Sequence, residues 1–76
     1  MPTVMRRDGL RFVIYSNDHP PPHVHVLGPG WRVIVDLTLL EVREVIGCNE
    51  PTARRVLRLV AEHGDMLHAA WGKLHG

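Results

Sequence analysis

The hydrophobic pattern changes period near residue 48. Before it, apolar residues come in short runs or alternate with polar ones; after it, they recur every third or fourth position. Residues 2 to 7 and 11 to 15 are apolar-containing runs separated by Asp8-Gly9, a pair suited to the positive-φ positions of a tight hairpin turn. Phe12-Val13-Ile14-Tyr15 is unbroken, which predicts a central strand covered on both faces. Pro20-Pro21-Pro22 has no N–H to give a ladder and predicts a stiff extended segment outside strands and helices. A third strand is expected over His23 to Leu27, closed by Gly28-Pro29-Gly30. Trp31 to Leu37 alternates cleanly, with Trp31, Val33, Val35 and Leu37 on one face. Glu41 to Ile46 reads either as a fifth strand returning through Thr38 to Leu40 or as a short helix starting near Thr38. Periodicity does not separate the two, and the strand is favoured.

Gly47 to Asn49 interrupt this pattern. Asn49 suits a helix N-cap, and Pro51 is tolerated in a first helical turn. Ala53, Leu57, Val60, Gly64, Leu67, Trp71 and Leu74 then form one stripe at spacings of four and three, which predicts one long amphipathic helix. Gly64 lies on that stripe, where glycine costs about 1 kcal/mol against alanine, so a kink or break is admitted there. The expected fold class is α+β: a small antiparallel sheet of four to five strands packed against one long C-terminal helix, within a single domain over residues 1–76.

Composition narrows the classes of function. A chain of 76 residues is one domain, and one of this size buries only about 60% of the surface its unfolded chain exposes. A dimer or hetero-complex is therefore expected. The single cysteine, Cys48, excludes an internal disulfide and any zinc site built on paired cysteines. No apolar run approaches the roughly 20 residues of a membrane span and the N-terminus has no signal-like core, so the expected location is the cytoplasm. A net charge of +1 is too small to argue for nucleic acid through a long-range field.

Candidate chemistry concentrates in Tyr15-Ser16-Asn17-Asp18-His19-Pro20-Pro21-Pro22-His23-Val24-His25-Val26, which holds three of the six histidines. On a strand, His23 and His25 share one face and Val24 and Val26 take the other. Asp18, His19, His23 and His25 suit three chemistries. The first is a divalent metal site, with His19, His23 and His25 as candidate ligands and Asp36, His63 or His68 as further donors. The second is metal-free acid–base catalysis on a phosphodiester, a ribonuclease-type activity in which one imidazole takes a proton and another gives one. The third is a pH-sensitive binding surface. Against these stands a structural role, with the rings filling a half-buried face. Neither Ser16 nor Cys48 has the spacing of a nucleophile with its base. His63, His68 and His75 read as helix surface, and Trp31 and Trp71 as core.

Arginine supplies eight of the nine basic side chains. Arg54, Arg55 and Arg58 fall in the first turns of the expected helix, where the macrodipole favours anions. They form a candidate phosphate-binding group or, more simply, a solvated face with Arg58 pairing Glu62.

The opening Met1-Pro2-Thr3-Val4, the run Tyr15 to His19 and Pro21-Pro22-His23-Val24-His25-Val26 together resemble the bacterial family known as domain of unknown function 4160. The helix Leu57 to His63, followed by Leu67 and Trp71, is similar to that family's C-terminal helix. Two departures are Gly64-Asp65, where relatives keep a charged helix-former, and the segment Thr38 to Asn49. The resemblance implies genes paired with another small domain, in an arrangement similar to type II toxin–antitoxin modules. The positions it carries over are Asn17, Asp18, His19, Pro21, Pro22, His23 and His25. Two functions from different classes are therefore expected. One is a toxin-like protein acting on RNA or translation, with His23 and His25 as acid and base, Asp18 and His19 beside them, and Asn17, Arg54, Arg55 and Arg58 binding. The other is a non-enzymatic module, antitoxin-like, regulatory or a metal-binding adaptor. Either engages a small cognate protein; a divalent metal is compatible with both and required by neither.

Overall fold

The computed structural model describes Thr3 to His75; Pro2, the expected start of the first run, lies outside the described residues together with Met1 and Gly76. Five strands, β1 (Thr3–Arg7), β2 (Leu10–Val13), β3 (His23–Gly28), β4 (Trp31–Asp36) and β5 (Glu41–Ile46), precede two helices, α1 (Glu50–Glu62) and α2 (Gly64–His75). Each strand pairs antiparallel with its sequence neighbours, giving a meander in the order β1-β2-β3-β4-β5. The β1–β2 turn places Asp8 at φ 54° and Gly9 at φ 77°. Positive φ at both central residues is the turn whose twist matches that of the flanking strands. Residues 41–46 form the strand rather than the short helix. Both edge strands carry a register irregularity, between Thr3 and Met5 in β1 and opposite Ile34–Val35 in β5. Such bulges blunt the unpaired edges of a sheet.

One face of the sheet holds the core. Phe12, Val24, Val26, Val33 and Val35 are fully buried and cluster with Ala53, Val56, Leu59 and Val60 of α1. Fully burying a side chain of this size contributes about 1.5–3 kcal/mol, so this row and its helix supply most of the drive to fold. Asn49 caps α1, its side-chain oxygen accepting the Thr52 N–H at 3.0 Å.

The expected single helix is two. His63 leaves the helical region at φ −115°, ψ 20°, and its N–H is shared between the carbonyls of Leu59 and Val60, both at 3.2 Å. The Leu67 N–H returns to the His63 carbonyl at 3.0 Å, which starts the next helix. The physical reason lies in Gly64-Asp65: glycine is a poor interior residue, and an acid in the first turn favours a new N-terminus. The apolar stripe divides with the helix. In α1 the buried face runs through Ala53, Val56, Leu59 and Val60, with Leu57 only part-buried. In α2 Leu67 and Trp71 are buried while Leu74 stays 41% exposed. No helix among the described residues is long and apolar enough to cross a membrane.

Candidate functional site

The site forms where the loop between β2 and β3 folds back over the sheet. Beyond Val13 the chain turns at Tyr15 to Asp18, with the Asp18 N–H donating to the Tyr15 carbonyl at 3.2 Å. The proline run follows outside any strand or helix, with a cis bond between Pro20 and Pro21. The Pro22 carbonyl accepts the Leu37 N–H at 2.9 Å, tying this run to the end of β4. β3 then starts at His23. Because Val24 and Val26 point into the core, the strand alternation turns His23 and His25 to the opposite face.

Both imidazoles converge on one carboxylate oxygen. Asp18 Oδ2 lies 3.2 Å from His23 Nε2 and 3.2 Å from His25 Nε2. On its other side, His23 Nδ1 donates to the Pro21 carbonyl at 2.9 Å. A carbonyl only accepts, so Nδ1 carries the proton in this arrangement. His25 bonds Asp18 through Nε2, and its Nδ1 is buried without a protein partner. The rings are well covered, with side-chain exposures of 11% for His23 and 12% for His25.

Aromatic side chains wall this cluster. Tyr15 meets His25 edge-on, with ring centroids 4.9 Å apart at 78°. On the far side, Trp71 lies 5.2 Å from His23, and His75 stacks on Trp71 at 3.7 Å and 13°. His75 Nδ1 donates to the Trp71 carbonyl at 2.9 Å, and its Nε2 is buried without a protein partner. Burial pushes the His25 pKa below its ordinary value, because water no longer solvates the imidazolium. The hydrogen bond to Asp18 and that carboxylate's charge oppose this shift, while His23 and Arg32 reinforce it.

The other candidate residues stand apart from this group. Asn17 and His19 are exposed, and His19 contributes no atom to the Asp18–His23–His25 cluster. Asp36 is buried opposite His23, but its Oδ1 accepts the N–H groups of Thr38 and Leu39 at 2.8 and 2.7 Å. His68 Nε2 lies 3.4 Å from Thr38 Oγ1, and His63 Nε2 is buried and unpartnered among protein groups. Neither joins the cluster. Arg54 pairs with Glu50, Arg55 reaches Asp8 at 3.5 Å, and Arg58 lines a surface depression with Leu40, Arg54, Leu57 and Ala61. Tyr15 and Pro21 lie within the candidate run without a role assigned to either by sequence, whereas Trp71 reads there as core alone. Nothing in the helical spacing of Trp71 carries it to a strand histidine.

A family model described as "Domain of unknown function (DUF4160)" matches residues 9–72. No curated protein and no solved structure matches the chain.

Proposed function

Since the chain belongs to the DUF4160 family, whose description carries no activity, its role has to be read from its side chains, and we propose that it is a non-enzymatic binding module that engages a small cognate protein. The carrying observation is the direction of four imidazole nitrogens. Two face Asp18, one donates to Pro21, and the fourth is buried. A pair of histidines acting as acid and base on a phosphodiester needs free ring nitrogens within hydrogen-bond reach of substrate atoms. Here both Nε2 atoms meet at a single oxygen, so the geometry favours binding over the ribonuclease-like toxin.

Leu39 and Leu40, which are 65% and 38% exposed in the turn before β5, support a partner surface there. Leu40 is held at φ 53°, a left-handed conformation that costs a residue with a Cβ about 1–2 kcal/mol. A strained residue beside a largely exposed leucine is a feature that folding alone does not repay. Arg58 lies beside it and offers a cation to an acidic partner. The partner is the protein encoded beside this one, in the paired arrangement that the family resemblance implies.

The test is induction of the native chain in a bacterial host beside a His23→Ala, His25→Ala version shown by circular dichroism to be folded. Binding of the neighbouring gene's product to native and Leu39→Asp, Leu40→Asp protein is measured by titration calorimetry. The binding reading predicts no histidine-dependent growth arrest and a partner affinity lost in the leucine variant. Arrest by the native chain alone would restore the catalytic toxin.

A further inference from the structure

The contact between His23 and Asp18 is one that only a cation can hold. Because His23 Nδ1 donates to the Pro21 carbonyl at 2.9 Å, a neutral ring carries its lone pair on Nε2. That nitrogen faces Asp18 Oδ2 at 3.2 Å with its side chain almost covered. Two acceptors at this separation repel unless a proton or a metal ion lies between them. A proton on Nε2 would satisfy His23 and Asp18 alone. An ion also uses His25, whose Nε2 is 3.2 Å from the same oxygen.

We propose that Asp18 Oδ2, His23 Nε2 and His25 Nε2 bind one divalent transition-metal ion of the zinc class. One ligand atom from each of Asp18, His23 and His25 lies within 4.8 Å of those of the other two. A tetrahedral ion with bonds of about 2.0–2.1 Å has its ligand atoms about 3.3–3.4 Å apart, close to the two separations of 3.2 Å. Two imidazoles and one carboxylate suit zinc, nickel, copper or iron rather than magnesium or calcium, which prefer oxygen cages. The Pro21 carbonyl does for His23 what outer-shell acceptors do in metal sites generally: it fixes the ring and leaves Nε2 as the ligand atom.

Ligation takes the place of any proton on His23 Nε2, and it moves the His25 proton from Nε2 to Nδ1. The consequence is mechanical. Asp18 stands on the β2–β3 loop and the histidines on β3, so the ion fastens that loop to the sheet. The metal site shares the imidazole geometry used for the binding role above but needs no protein partner, so loss of zinc binding and loss of partner binding are separate outcomes.

The test uses the full chain, stripped with chelator and titrated with zinc chloride by calorimetry. Asp18→Asn, His25→Gln and the outside control His19→Ala are measured beside it, each checked for folding by circular dichroism. Native and His19→Ala protein should bind one equivalent of zinc. The two cluster variants should bind at least about tenfold more weakly, the lower end of what losing even an outer-shell partner costs. Should the cluster variants fail to fold, nitrogen-15 spectra of the native chain decide: zinc should shift the Nε2 signals of His23 and His25 and leave those of the other histidines in place. Absence of saturable binding by the native chain, unchanged affinity in folded Asp18→Asn, or shifts confined to other histidines would overturn the proposal.

Discussion

Replacing Asp36 should separate the carboxylate that builds the β4–β5 turn from those that could serve an ion. Asp36 ends β4 opposite His23 and is 4% exposed. Its Oδ1 accepts the N–H groups of Thr38 at 2.8 Å and Leu39 at 2.7 Å. Those bonds turn the chain through residues 37–40 and set Leu40 at φ 53°. Hydrogen bonds to a charged group contribute about 1.5–3 kcal/mol each. Thr38 and Leu39 are exposed, so water can serve their amides once the carboxylate is gone, and Asp36→Ala should cost about 3 kcal/mol in total, the low end of the roughly 3–6 kcal/mol that two such bonds contribute. A domain of this length has roughly 4–11 kcal/mol of stability to lose, and each kcal/mol lowers the melting temperature by about 4–8 °C. Asp36→Asn keeps an acceptor and should cost about 1 kcal/mol. Urea unfolding followed by circular dichroism measures both, with the m-value expected to stay constant. An alanine variant within about 0.5 kcal/mol of native, or alanine and asparagine variants of equal stability, would refute the reasoning. Zinc affinity should be unchanged in the asparagine variant, because Asp36 lies outside the cluster.

Gly47→Ala should destabilise more than Gly9→Ala in urea unfolding. Both residues have positive φ, but a Cβ at Gly47 would meet the Gly30 carbonyl at 2.8 Å whereas one at Gly9 meets nothing; equal costs would contradict this packing. Leu40→Gly relieves about 1 kcal/mol of left-handed strain against a glycine entropy cost of about 0.5–1 kcal/mol, so it should leave the free domain's stability nearly unchanged while weakening partner binding. A loss above about 1 kcal/mol would instead make Leu40 a folding residue. In chelator, the contribution of His25 to stability, read as the difference between native and His25→Gln protein, should be full above the ordinary histidine value of 6.5 and fall as pH drops below it. The unfolded chain takes up the His25 proton first, because burial lowers the folded pKa despite the facing Asp18, with His23 and Arg32 adding to the shift. A difference in urea midpoint between native and His25→Gln protein that grows in favour of the native chain on acidification would contradict the sign.

The sheet was largely legible because its signals are local. Asp8-Gly9 specifies its turn through backbone preference alone, and the alternation from Trp31 to Leu37 matches a strand with one face on the core. The helix break was only half legible: Gly64 marks the place, but whether a glycine there bends or ends a helix depends on what the next turn packs against. Leu67 and Trp71 find burial beyond the break, whereas Leu74 does not. At the site, period-two spacing put His23 and His25 on one face. It could not bring Asp18 back to them, because the Tyr15–Asp18 turn and the tie from Pro22 to Leu37 are properties of the folded loop. The grouping of Arg54, Arg55 and Arg58 was plain in sequence, yet Glu50 and Asp8 take two of them. That pairing across a turn and between distant segments has no local signature.

Two imidazoles turn inward onto one carboxylate, with His23 fixed by the Pro21 carbonyl. Long-range proton–nitrogen correlation spectra of the native chain read the tautomers directly. The prediction is a proton on His23 Nδ1 both in chelator and with zinc, and on His25 a proton on Nε2 in chelator that moves to Nδ1 when zinc binds. Finding His23 protonated on Nε2 alone would break the bond to Pro21 and contradict the arrangement from which both the binding role and the metal site are argued.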